Sequence, residues 1–285
     1  MKYEIKPFED LEFSDDFIFC KIMHNPEICA GVIERLLHIK VDHIEYPELQ
    51  KTIQPYYTSK GVRFDVYLKD STRIFDIEMQ TYNDSSIGKR MRYYQSIIDM
   101  DNLMKGDDYS ELKESYIIFI CKDSPFENKS KPVFTFKSTC QEDNSVLLND
   151  KTLKAVYNAS AYANTDNKEL KAFLNYVCSS KAEDNFTERI SCLVTQAKAQ
   201  EANKTEYVRM NLHDRDITRR AKEEGIIEGA LQKVIENTRA LFTNGVSIDV
   251  ISKSLGISIE QINQILNNST QTSPVTSLQN DKTAL

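Results

Sequence analysis

Two short stretches of alternating residues constrain this chain more than any other feature. Val62–Leu68 and Ile74–Met79 are rich in β-formers and are joined by the polar run Lys69–Arg73, a pattern that predicts a hairpin. With the turn centred between Ser71 and Thr72, Arg63 faces Gln80, Asp65 faces Glu78 and Tyr67 faces Asp76. Side chains alternate along a strand, so these residues share one face. Phe64, Val66, Leu68, Phe75, Ile77 and Met79 share the other and are expected in the core.

The polar face then carries three acids, an arginine and a glutamine. Like charges set opposite each other weaken strand pairing by about 0.2–1 kcal/mol, and Asp65 against Glu78 is such a pair. A divalent cation removes that cost. Oxygen-only ligation suits Mg²⁺, with Mn²⁺ as a substitute, and leaves room for water and a substrate phosphate. The same alternation also fits a solvated outer face on which Arg63 and Arg73 neutralise the acids. Asp76 is expected to pair with Arg73 in preference to joining a second ion.

Around the hairpin the pattern alternates between helix and strand. Helical spacing runs from Ser14 or Asp15, as a cap, to Leu37, broken at Asn25-Pro26. A strand is expected over 41–49, a helix over 86–104, a buried strand at Tyr116–Cys121 and another strand at Val133–Phe136. The expected class is α/β to about residue 165, followed by an all-α region. There, amphipathic stretches fill 167–222, a longer helix runs over 223–243, and two short helices between Ile248 and Leu266 are separated at Gly256, with Ser258 as a cap. The polar stretch 267–285 reads as a disordered tail.

Composition limits the partners. Thirty-six Lys and Arg against 43 Asp and Glu leave a formal charge of −7, so a nucleic-acid site must be a local basic patch. No stretch approaches the ~20 apolar residues of a membrane span, and Met1–Lys6 has no apolar signal run. The six cysteines are scattered and include no Cys-x-x-Cys pair. A cytoplasmic protein with reduced, mostly buried thiols is the expectation.

At the hairpin the sequence resembles a known family. Asp65, followed thirteen residues later by Glu78-Met79-Gln80, is similar to the PD-(D/E)XK nuclease motif with Gln for the final Lys. Ser14–Phe19, Gly61–Tyr67, Ile77–Gln80, Lys89–Gln95 and Tyr116–Cys121 occur in the order seen in the Rpn family of recombination-promoting nucleases, also called PD-(D/E)XK family transposases. The likeness covers about residues 10–165 and continues more weakly through Tyr207–Met210 and two Glu-Gly pairs. It implies a restriction-endonuclease-like core, a central mixed sheet flanked by helices, and Mg²⁺-dependent hydrolysis of DNA phosphodiester bonds that promotes recombination or transposition. Carried over by residue, Asp65 and Glu78 are metal ligands and the Met79 carbonyl a third. Gln80 stands where Lys would orient the attacking water, and Asp16 is an outer carboxylate.

Gln at position 80 lacks the charge that stabilises a phosphorane, and so implies slower chemistry unless another cation substitutes. Arg63, directly across in the hairpin, and the helical Lys89, Arg90 and Arg92 are candidates. Arg90 and Tyr94, four apart, share a helix face and are expected near the site, or else paired and packed structurally; helical spacing does not separate them from Arg92 and Tyr93.

Further along, Arg215, Arg219, Arg220 and Lys222 are interleaved with acids and read as an exposed ion-paired face. The 258–266 helix has no Arg or Lys, so the 244–268 module fits packing or homo-oligomerisation better than reading bases. The expected organisation is a nuclease-like domain at 10–165, a helical extension at 166–243, that small module, and a tail at 269–285. A DNA endonuclease is the first functional expectation. A catalytically weak or inactive DNA-binding recombination accessory is the second, and a structural interaction protein acting through the C-terminal helices is the third.

Overall fold

The computed structural model describes residues 5–41, 48–53, 60–82, 84–127 and 129–267, with side chains for all of these except 49, 50, 213–221, 223, 224 and 228. It forms two compact units, Met1–Val208 and Arg209–Leu285.

The first unit is built on a six-stranded mixed sheet. Its strands are β1 (Glu48–Ile53), β2 (Val62–Lys69), β3 (Arg73–Gln80), β4 (Glu114–Cys121), β5 (Val133–Phe136) and β6 (Thr152–Asn158), in the spatial order β1-β2-β3-β4-β6-β5. β1/β2, β2/β3 and β5/β6 are antiparallel, while β3/β4 and β4/β6 are parallel. β4 is flanked on both sides and covered on both faces, which explains its unbroken apolar run.

Helices α1 (Asp16–Met23) and α2 (Pro26–Leu37) precede the sheet, and α3 (Ile87–Asn102) lies between β3 and β4. The predicted break between α1 and α2 is present. Asn25 accepts from the amides of Glu27 and Ile28, and Pro26 takes the first helical position, where no amide partner is lost. Asp15 occupies the N-cap position of α1, but its carboxylate turns away to Lys6 and the Glu12 amide, so the predicted side-chain cap is not made.

α3 covers one face. Ile87, Met91, Ile97 and Ile98 pack with Tyr67, Ile74, Ile117, Phe119 and Val156. Tyr157, next along β6, points the other way, and its hydroxyl donates to the Leu36 carbonyl at the end of α2. Both faces of the sheet are therefore buried.

The predicted 41–49 strand falls mainly on 42–47, outside the described residues; the described strand is Glu48–Ile53. β6 had no counterpart in the sequence reading, although its Ala155–Asn158 end is buried. Its Lys154 and terminal Asn158 dilute the apolar signal.

The C-terminal part is helical as predicted, with α4 (Lys168–Ser179), α5 (Asn185–Ala199), α6 (Glu201–Thr243), α7 (Ile248–Leu255) and α8 (Ile259–Asn267). The helix expected from 223 begins at Glu201 and runs for 43 residues, because no proline interrupts it and Gly225 and Gly229 are tolerated. α7 ends at Gly256 with φ of 66°, the left-handed stop that glycine takes at no steric cost. Ser258 then closes a capping box. Its hydroxyl accepts the Gln261 amide at 3.1 Å, and the Gln261 side chain accepts the Ser258 amide at 2.9 Å. Ser258→Ala should lower the stability of this unit by about 1 kcal/mol, read as an earlier loss of hydrogen-exchange protection over α8. Residues 268–285, where a tail is expected, lie outside the described residues.

Candidate active site

The predicted hairpin register is found: Val66 pairs with Ile77, Tyr67 with Asp76, Leu68 with Phe75 and Lys69 with Ile74. Beyond Val66 the ladder stops. The Asp65 amide donates to Glu78 Oε1 at 2.9 Å, and the Met79 amide donates to Asp65 Oδ2 at 3.0 Å. Each carboxylate takes the backbone donor of the opposing strand, so the two strands separate where the acids stand and both acids turn into one cleft.

The alternation also fails here. Phe64 packs against Tyr67 and against Tyr94 of α3, with ring centroids 5.3 Å apart in each case. A strict period of two would put Phe64 and Tyr67 on opposite faces.

The resulting cavity, about 240 Å³, brings together Ser14, Asp16, Arg63, Asp65, Glu78, Gln80 and Arg90, among others. The face predicted to present its acids outward is covered by α3: Asp76 is 0% exposed, Glu78 2% and Gln80 7%. Burial and the neighbouring Glu78 and Asp16 charges push Asp65 well above the usual carboxylate range. Glu78 is pushed up by burial to about 7, although the Asp65 amide and Arg90 hold it down. Asp76 is pushed up by burial and by Glu78 and Asp65. Neither Asp76 oxygen has a donor among the described residues, and a hydrogen bond to Glu78 needs a proton on one of the two carboxyls.

Arg90 is the guanidinium beside Glu78 and Gln80. Arg90 Nη1 donates to Gln80 Oε1 at 2.7 Å, Nη2 donates to the Tyr94 hydroxyl at 3.2 Å, and Nη2 lies 3.5 Å from Glu78 Oε2. Arg90 also pairs with Asp84 at 3.2 Å and lies over the rings of Tyr94 and Phe119. The Gln80 amide is fixed at both ends, since its Nε2 donates to the Met79 carbonyl at 3.0 Å. That carbonyl keeps a second lone pair.

The cation beside Gln80 is therefore Arg90, not Arg63. Arg63 is more exposed and stands 4.0 Å from Asp16. The expected Arg73–Asp76 pair does not form, because the tight turn lets Arg73 reach Asp70 at 2.6 Å.

Cys20, one helical turn after Asp16, was not singled out by the sequence. Its thiol donates to Asp16 Oδ1 and to the Asp65 carbonyl, each at 3.6 Å. Ligand atoms of Asp16, Cys20 and Asp65 lie within 4.8 Å of one another. The i,i+4 spacing to Asp16 was the available signal. The side chains of Arg215, Arg219 and Arg220 lie outside the described residues.

Residues 7–216 match the PD-(D/E)XK nuclease family transposases. The chain belongs to that family. The match takes in every strand and the whole cleft, and the mixed sheet with flanking helices is the restriction-endonuclease-like fold of these nucleases. No curated protein and no solved structure matches the chain. Membership supports a nuclease-like or transposition-related role, for which nucleic acid is the substrate and a divalent metal the usual cofactor. Among the described residues no helix is long and apolar enough to cross a membrane.

Proposed function

We propose that this family member is a metal-dependent DNA endonuclease that hydrolyses phosphodiester bonds during recombination or transposition. The reading rests on Asp65 and Glu78, two carboxylates cross-tied through backbone amides in one cleft and both raised in pKa, chiefly by burial. Asp16, Asp65, Glu78 and the orphaned Asp76 outnumber the two guanidiniums beside them, Arg63 and Arg90, so a divalent cation fits the chemistry of this cluster. Asp65, Glu78 and the Met79 carbonyl would hold that ion, with Asp16 at the outer edge. Their hard oxygen donors favour Mg²⁺ or Mn²⁺. Such an ion supplies Lewis acidity and a lowered water pKa.

The chain's own residues do the rest. Gln80, oriented by Arg90, offers its remaining amide hydrogen to a water or a phosphate oxygen. Arg90 contributes the positive charge that a motif Lys would bring, from one residue further away. Arg63, at the exposed rim, neutralises a phosphate next to the scissile one. Because Arg90 is also engaged by Glu78 and Asp84, turnover is expected to be slow.

The test is supercoiled plasmid incubated with purified protein and Mg²⁺ or Mn²⁺, beside a chelator control. Wild type should nick and linearise it, and Asp65→Ala and Glu78→Ala should not. Plasmid left equally intact by all three across Mg²⁺, Mn²⁺ and Ca²⁺ would replace this reading with that of a DNA-binding accessory.

A further inference from the structure

Next to the carboxylate cleft lies a groove of about 780 Å³ that shares Arg63, Arg90 and Tyr94 with it. It is the size of a small-ligand site. Among the described residues five cations line it (Lys60, Arg63, Lys89, Arg90 and Arg92) and no carboxylate does, in a chain whose formal charge is −7.

Lys89, Arg92, Tyr93 and Ser96 follow the i, i+3, i+4, i+7 spacing of a single helix face. Gly61, Val62 and the two tyrosines give the groove an apolar, aromatic floor. The Tyr93 hydroxyl donates to the Lys60 carbonyl at 2.6 Å and ties the α3 wall to the β2 wall. The Tyr94 ring is held between Phe64 and Phe119. Both walls are thus fixed before anything binds. Among the described residues Lys60, Lys89 and Arg92 form no ion pair, so their charge is available to a ligand.

We propose that this groove receives an unpaired single strand next to the scissile phosphate, so that the preferred substrate is DNA with a single-stranded tail or branch. The inference deepens the endonuclease reading and rests on it for the choice of strand chemistry. A positive rim tracks phosphates, and an aromatic floor accepts bases without regard to sequence. A duplex presents its phosphates without exposing base faces, and so matches only the rim.

The experiment measures binding in chelator, where no cleavage occurs. A blunt duplex, the same duplex with a DNA tail, and the same duplex with an RNA tail are titrated with full-length protein from roughly 50 to 200 mM salt. The DNA-tailed duplex is expected to bind at least about tenfold more tightly than the blunt one. Lys89→Ala with Arg92→Ala, both exposed helical positions, should remove most of that advantage. The double variant should also make the log–log salt slope for the tailed duplex shallower by about 1.4, the value for two single-strand phosphate contacts.

Equal affinity for tailed and blunt DNA, or a double variant that weakens both alike, overturns the groove assignment. An RNA tail held as tightly as the DNA tail overturns DNA as the ligand. Tail preference without plasmid cleavage leaves the groove standing and removes the catalytic reading; cleavage without tail preference does the reverse.

Discussion

Replacing Glu78 by Gln is expected to end cleavage and, in metal-free buffer at pH 8, to make the protein more stable. Burial raises the folded-state pKa of Glu78 to about 7 from an ordinary value of 4.5. Between those values the folded chain holds a proton that the unfolded chain has released. Stability therefore falls as pH climbs through the window and levels off above it. The loss is of order 3 kcal/mol for a shift of this size. Asp65 and Asp76 are pushed the same way, which steepens the fall.

Gln carries no charge to bury. Its oxygen still accepts the Asp65 amide. Thermal melts in chelator from about pH 5 to 8 should show wild type losing several degrees and Glu78→Gln losing much less. Added Mg²⁺ should rescue wild type alone. Cleavage should drop by about 10³-fold or more. Melts of the two proteins that stay parallel would mean that Glu78 is not the strained charge.

The second large effect is at Arg90. Arg90→Met removes the nearest cation from Glu78 at 3.5 Å and the donor to Gln80 at 2.7 Å. Arg90's charge is one of the influences that lower Glu78 and Asp76, so without it both move further up and the pH range of falling stability extends above 7. Breaking a buried pair costs about 3–5 kcal/mol; with Arg90 23% exposed, about 2 kcal/mol at pH 8 is expected. Turnover should fall by about 10²–10³-fold through loss of the charge behind Gln80. Arg90→Lys keeps one charge but cannot reach Gln80, Tyr94 and Glu78 together, so it should recover stability better than turnover. A variant with full turnover and an unchanged pH profile would assign the work to Arg63.

The sequence made the hairpin and its partner acids legible because two β-rich runs joined by a short turn fix register, and register fixes which side chains meet. It also made the Asn25-Pro26 break, the buried β4 and the Gly256 stop legible, since each depends on residues within one or two turns of chain. β6 was not legible, because a strand marked mainly by its neighbours on the sheet carries little signal of its own. Arg90 and Tyr94 stood as equal candidates with Arg92 and Tyr93. The choice between these pairs depends on how α3 is rotated against the sheet, and helical spacing alone gives neighbours without giving that rotation.

Local pattern determined that Asp65 and Glu78 would share a face and that Gln80 would stand beside them. Tertiary structure decided what that face meets. α3 covers it, so acids expected in water are buried and titrate high, and the compensating guanidinium comes from a helix instead of from the facing strand. Covalent neighbours and short periods set the first kind of fact. The second is set by packing between segments far apart in sequence, where desolvation and the position of a single charge reverse what alternation alone suggests.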